Sequence, residues 1–144
     1  MTPVAASALV DTSVAVALLL QGSEYHFAAL DAVAGHTVGI AGHAVIETCS
    51  VLSRLPGANR LEASTAWRLV QESFVTRRWL TPSEQEVAIN RACAAGVSGG
   101  ALYDALVGAA AAAAGLPLIT RDRRALSTYA AIGVEALLVD VSVN

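Results

Sequence analysis

Short apolar runs alternate along this chain with longer segments of helical periodicity, and that alternation leaves few folds open. Strands are expected at residues 7–10, 37–41, 79–80, 118–120 and 136–139. Strands this short and this apolar, separated by helices, imply a parallel sheet covered on both faces, an α/β fold. Thr12 and Ser13 are candidate N-caps for a helix over 14–20, and Ser23 for a second helix ended by Gly35. A third spans 43–55 and stops at Pro56-Gly57, and a fourth runs over 61–75. Ser83 caps a helix to about residue 95, Gly99-Gly100 opens an Ala-rich helix to Ala114, and a short helix lies around 125–129. Neither a repeat nor a linker divides the chain, so one domain over 1–144 is expected. A compact chain of this length buries roughly two-thirds of its unfolded surface.

The longest stretch without an acid or a base, 105–120, is Ala-dominated and broken by Gly115 and Pro117. A membrane span needs about 20 strongly apolar residues, so no membrane association is expected. The start has no basic residue before Asp11 and no signal-peptide architecture, and with the two cysteines, Cys49 and Cys93, it points to the cytoplasm. Lysine is absent, all 9 basic residues being Arg. That excludes a P-loop, whose Lys reaches the terminal phosphates, and the phosphatases and receivers that use an active-site Lys. No dinucleotide fingerprint, Cys-x-x-Cys, His-Glu-x-x-His or Gly-x-Ser-x-Gly motif occurs either.

The scarce carboxylates carry most of the functional information. Asp11 is the only charged side chain between Met1 and Glu24, Glu47 the only one between Asp31 and Arg54 with His set aside, and Asp104 the only one between Arg91 and Arg121. Around Asp104 the helical neighbours are Gly100, Ala101, Val107 and Gly108, a face suited to close packing rather than to solvent. An unpaired buried carboxylate costs several kcal/mol, so such a group is neutralised or lies beside a cation. Asp122 follows the strand 118–120 as Asp11 follows the first strand, which places both at the carboxyl edge of a parallel sheet, where open α/β sheets bind ligands. Acids gathered in one cleft repel one another. A hard divalent cation such as Mg²⁺ or Mn²⁺, which prefers oxygen ligands, relieves that repulsion and can activate water for phosphodiester hydrolysis.

These residues resemble the PIN-domain ribonucleases, and among them the VapC-type toxins of bacterial toxin–antitoxin pairs. The resemblance rests on Leu9-Val10-Asp11-Thr12-Ser13, His43-Ala44-Val45-Ile46-Glu47, the run from Ser98 through Tyr103-Asp104 to Leu106, and Leu118-Ile119-Thr120-Arg121-Asp122, in that order along nearly the whole chain. It implies a three-layer α/β/α fold around a central parallel sheet of four to five short strands. It also implies that Asp11, Glu47, Asp104 and Asp122 form a metal-binding and catalytic quartet, with Thr12, Ser13 and Thr120 orienting water or carboxylate. The implied activity is a Mg²⁺- or Mn²⁺-dependent endoribonuclease; the implied partners are an RNA substrate, a small cognate antitoxin and a second copy of the chain.

Plainer readings stand beside these. Asp11 could cap the following helix, Glu47 could pair with His43 one turn earlier, and Asp122 could pair with Arg121, Arg123 or Arg124. With a net charge of −3, whole-molecule attraction does not draw in RNA, so phosphate contacts fall to a local rim, for which Arg121, Arg123 and Arg124 are the candidates. The same arginines could instead face an antitoxin. Arg77 and Arg78 are read as surface, Trp67, Val70 and Phe74 as core or an apolar groove for a partner helix, and Cys49 and Cys93 as small buried hydrophobes. The alternative functional class is a PIN-like module that binds metal or a partner without catalysis. An Asp-x-Ser-x-Ser adhesion site is opposed by Ala15, which takes the second serine position.

Overall fold

The structure is a computed structural model and describes residues 4–140. In chain order its strands are β1 (Ala8–Val10), β2 (Val38–Ala41), β3 (Arg77–Arg78), β4 (Leu118–Thr120) and β5 (Ala136–Leu138). The helices are α1 (Thr12–Leu19), α2 (His26–Val33), α3 (Gly42–Leu52), α4 (Ala63–Ser73), α5 (Pro82–Ala94), α6 (Ala101–Ala114) and α7 (Leu126–Ile132). All strand pairs are parallel, in the order β3-β2-β1-β4-β5. The chain therefore builds outward from β1 through β2 to β3, then returns to the other side of β1 for β4 and β5. That reversal places a topological switch point between β1 and β4, and a crevice opens there at the strands' carboxyl ends.

The apolar alternation has the expected consequence. β1 and β4 are buried at every residue, and Leu9, Val10, Ile40, Leu118 and Ile119 form the centre of the core. Helix α6 packs against α3, α5 and α7 through its alanines, which let the helices approach closely, and ends at Gly115 in the left-handed conformation with φ +67°. Gly39 allows an equally close approach on β2. A Cβ there would lie 2.7 Å from the Thr76 carbonyl oxygen. No helix of the described residues is long and apolar enough to cross a membrane.

Several local expectations are corrected. The edge strand is Arg77–Arg78, not Trp79–Leu80. Arginine can occupy an edge strand because its stem lies along the sheet while its head finds partners outside. Arg77 donates to the Phe74 carbonyl at 2.9 Å, and Arg78 forms a two-pronged pair with Glu84 at 3.1 and 2.9 Å. The cap of α5 is Thr81 rather than Ser83: the Thr81 hydroxyl accepts from the Glu84 amide, the Glu84 carboxylate accepts from the Thr81 amide, and Pro82 takes the first helical position. Asp11, not Thr12 or Ser13, caps α1. Ser23 does not cap α2, which begins at His26 with Tyr25 at the N-cap position; three residues ahead of the helix, it organises the turn by accepting from the Tyr25 amide. Val70 and Phe74 are core, but Trp67 is 38% exposed and lies under the Arg77 guanidinium, 5.7 Å from the ring centroid. Cys49 is half-buried and Cys93 exposed, because α5 buries Ala88 and Ala92 and turns Cys93 away from that stripe.

Candidate active site

Asp11 leaves β1 at the switch point and is only 4% exposed. Its carboxylate is nevertheless well supplied with donors. On Oδ1 it accepts from the Ser13 hydroxyl at 2.5 Å and from the Val14 amide at 3.2 Å. On Oδ2 it accepts from the Thr120 hydroxyl and from the Tyr129 hydroxyl, the latter at 2.9 Å. Burial raises the Asp11 pKa from its ordinary value, while these hydrogen bonds pull it back down. Helix capping and a role in the cleft therefore coexist in one side chain.

Two of the donors tie Asp11 to the loop after β4. The Ser13 hydroxyl accepts from the Arg121 amide at 2.9 Å, and the Thr120 hydroxyl accepts from the Asp122 amide at 3.1 Å. Each hydroxyl thus donates to Asp11 while accepting from the segment that carries Asp122. Asp122 in turn accepts from the Arg124 amide at 3.0 Å and starts the 3-10 turn Arg123–Ala125, with the Arg124 Nε 3.6 Å from its Oδ1.

Glu47 and Asp104 arrive from helices α3 and α6. Glu47 is half-buried and pushed up to about 7 by burial, then by the charges of Asp104 and Asp11. Asp104, in the first turn of α6, is pushed up to about 6 by burial and by Asp122 and Asp11, against a lowering contribution from Arg124. His43 Nε2 stands 3.4 Å from Glu47 Oε1, so the pair expected from their spacing is in contact. Its geometry does not make a hydrogen bond, and Glu47 Oε1 stays buried without a partner, as does Thr12 Oγ1.

Asp11, Thr12, Ser13, Glu47, Asp104, Val107, Asp122 and Tyr129 line one cleft of about 220 Å³. A larger hollow of about 590 Å³ beside β5 is lined by Asp31 and Asp140 amid apolar side chains, so chemistry rather than size singles out the acidic cleft. The acids ring this cleft instead of meeting at a point: among the described residues, no three His, Cys, Asp or Glu side chains form a ready-made ligand cluster. Their chemistry still fits a hard divalent cation. The donors are all oxygen, Glu47 and Thr12 each present an orphaned buried oxygen, and Glu47 and Asp104 are raised first by burial and then by neighbouring carboxylates, both of which positive charge would offset.

The arginines divide. Arg123 and Arg124 are exposed on the lip, Arg124 with 95% of its side chain in solvent. Arg121 folds back so that its guanidinium lies 3.8 Å from the Tyr25 ring centroid, a cation–π contact. The residue that sequence reasoning missed is Tyr129. Its hydroxyl reaches Asp11 from α7 across 118 positions of chain, and nothing in its own neighbourhood signals that contact.

Comparison with known proteins agrees with this geometry. The PIN domain family matches residues 8–131. Ribonuclease VapC27 of Mycobacterium tuberculosis is 41% identical over 129 residues, covering 90% of this chain and 94% of the relative. Ribonuclease VapC40 of the same species is 40% identical over 131 residues, covering 90% and 96%. Among solved structures, the M. tuberculosis toxin VapC20 superposes with a TM-score of 0.68 at 23% identity, covering 89% of this chain and 96% of that one. FitAcB from Neisseria gonorrhoeae gives 0.65 at 17% identity, covering 90% and 96%; these two likenesses speak to the fold. A parallel sheet with acids at its switch point, matched in sequence from β1 into α7, places the chain in the PIN-domain family and, within it, among the VapC ribonucleases.

Proposed function

We propose that this chain is the toxin of a toxin–antitoxin pair, an endoribonuclease that hydrolyses RNA phosphodiesters with Mg²⁺ or Mn²⁺ held by Asp11, Glu47, Asp104 and Asp122. The observation that carries the reading is the gathering of these four acids around one cleft. Glu47 feels Asp104 and Asp11, and Asp104 feels Asp122 and Asp11. The ribonuclease names of the relatives at 40–41% identity support the activity.

When bound, the cation supplies a polarised phosphoryl oxygen and a water of lowered pKa. The chain's own residues set the geometry around it. Ser13, Thr120, Tyr129 and the Val14 amide fix the Asp11 carboxylate in orientation, so that it does not reorganise when substrate arrives. Asp104 is the hub of the acids, since its charge couples to Asp11 and Asp122 and acts on Glu47. The exposed Arg123 and Arg124 suit phosphate contacts on the lip, with Arg121 behind them against Tyr25. On this reading the partners are an RNA substrate and a small cognate antitoxin, the assembly is a homodimer, and the compartment is the cytoplasm.

The test is cleavage of total cellular RNA by antitoxin-free protein with Mn²⁺ or Mg²⁺, against chelator and against Asp104→Asn. Discrete fragments that disappear in both controls are the expected result. Intact RNA with metal-loaded, folded wild-type protein would move the chain to the alternative class, a PIN-like module that binds without catalysis.

A further inference from the structure

Two aromatic rings beside the acidic cleft are unused by the reading above. His43 and Tyr103 stack with their centroids 5.3 Å apart and their planes inclined by only 6°, an offset parallel pair. Both are joined to the acids. His43 lies one turn before Glu47 on α3 and touches it, while Tyr103 immediately precedes Asp104 on α6. Tyr103 is 57% exposed, so a large part of the ring stays in water although Ala105 and Val107 on the same helix are buried. The aromatic surface continues past His43. A Cβ on Gly42 would lie 2.8 Å from Trp79 Cε3, so the indole covers the residue next to His43, and it is itself 52% exposed.

The two sides of the cleft therefore differ. His43, Tyr103 and Trp79 lie toward β2 and β3, whereas Asp122, Arg123 and Arg124 follow β4 on the far side of β1. A polynucleotide offers two complementary surfaces, charged phosphates and uncharged base faces. In a chain of net charge −3 with an acidic cleft, stacking adds affinity that charge repulsion does not oppose.

We infer that the stacked His43–Tyr103 pair is a platform on which an unpaired RNA base next to the scissile phosphate stacks, with Tyr103 as the contacting ring and His43 as its support. The inference rests on the ribonuclease reading and assigns base contact at the cleft to this pair. It also sets an orientation, with bases on the β2 and β3 side and phosphates on the β4 side.

The experiment measures binding in the Asp104→Asn background with Mg²⁺, by fluorescence anisotropy. The probes are a fluorescein-labelled single-stranded 12-nucleotide RNA of randomised sequence and an abasic ribose-phosphate strand of the same length. Adding Tyr103→Ala should weaken RNA binding roughly 5- to 150-fold, the range for loss of one base–aromatic stack. Tyr103→Trp should retain the affinity, and the abasic strand should not distinguish the variants. Because Tyr103 is exposed, each variant should keep the parent's melting temperature. Equal RNA affinity in Tyr103→Ala overturns the inference, and so does an equal loss for RNA and abasic strand, which would assign the ring to charge placement or to a protein partner. If wild-type protein cuts cellular RNA while Tyr103→Ala binds as its parent does, this inference falls and the ribonuclease reading stands. If the parent binds no RNA and wild type cuts none, both fall.

Discussion

Replacing Tyr129 by Phe removes one oxygen from the core and asks whether Asp11 is held as an anion. The ring is 1% exposed and keeps its volume, so the substitution leaves little cavity to account for. What is lost is the 2.9 Å donation to Asp11 Oδ2, after which that oxygen keeps only the Thr120 hydroxyl. A hydrogen bond to a charged group contributes about 1.5–3 kcal/mol and one between neutral groups about 1, so the ionisation state of Asp11 sets the size of the effect. Burial raises the Asp11 pKa and the donors lower it, so deleting a donor raises it further in the variant. The deficit of Tyr129→Phe is therefore fully developed where Asp11 is ionised and shrinks as the pH falls and Asp11 takes up its proton. Urea unfolding in chelator should show a loss of about 1.5–3 kcal/mol at pH 8 and about 1 kcal/mol or less near pH 4. An Asp11→Asn background, where no anion exists, should show the smaller value at both. A loss below about 0.5 kcal/mol at pH 8, or one that ignores pH, would refute the claim that Tyr129 holds an ionised carboxylate.

Glu47→Gln tests the half of the site where burial and neighbouring acids both disfavour charge. The Glu47 pKa rises from its ordinary 4.5 to about 7 on folding, so the folded chain holds the extra proton and wild type loses stability as the pH climbs through that window. In chelator the melting temperature of Glu47→Gln should gain on that of wild type between pH 5 and pH 8, and saturating Mg²⁺ should reverse the order; a difference constant with pH would count against the raised proton affinity of Glu47. Gly39→Ala tests the sheet, because the new methyl would stand 2.7 Å from the Thr76 carbonyl oxygen, which also accepts from the Ile40 amide at 2.9 Å. Overpacking of this kind costs about 1–3 kcal/mol, and an unchanged urea midpoint would mean that β2 and the segment before β3 can part freely.

How far the sequence revealed the site depended on how local each signal was. Asp11 and Asp122 could be placed at a sheet edge because each follows a short apolar strand, and Asp104 stood out among small residues on one helix face. Those are short-range patterns, and the structure gathers all of these residues with Glu47 around one cleft. The strand order was not legible, and with it went the switch point between β1 and β4 that explains why Asp11 and Asp122 meet. Tyr129 was invisible for the same reason, its partner lying 118 residues away. The edge strand lies two residues before the apolar pair Trp79-Leu80, because apolar content does not mark an edge strand whose two arginines satisfy their heads outside the sheet. Of the two readings of Trp67, the core one is corrected. Helical spacing placed it with Val70 and Phe74, whereas its ring lies on the margin of that face under Arg77.

The acids belong to two physically different halves. Asp11 and Asp122 flank the switch point and are joined through the Ser13 and Thr120 hydroxyls, each of which donates to Asp11 and accepts from the backbone after β4. Displacing one of these acids displaces the other, so their relative position is set by covalent strand geometry and hydrogen bonds. Glu47 and Asp104 project from α3 and α6, have no comparable set of donors, and are raised in proton affinity first by burial and then by neighbouring carboxylates. Deleting a hydroxyl should therefore loosen the first half and lower stability most where Asp11 is ionised. Deleting a carboxylate from the second half should raise metal-free stability at alkaline pH while removing charge that a cation needs. A site built this way trades stability for charge at Glu47 and Asp104, and it keeps its geometry through Asp11, the residue whose burial the protein offsets with four donors.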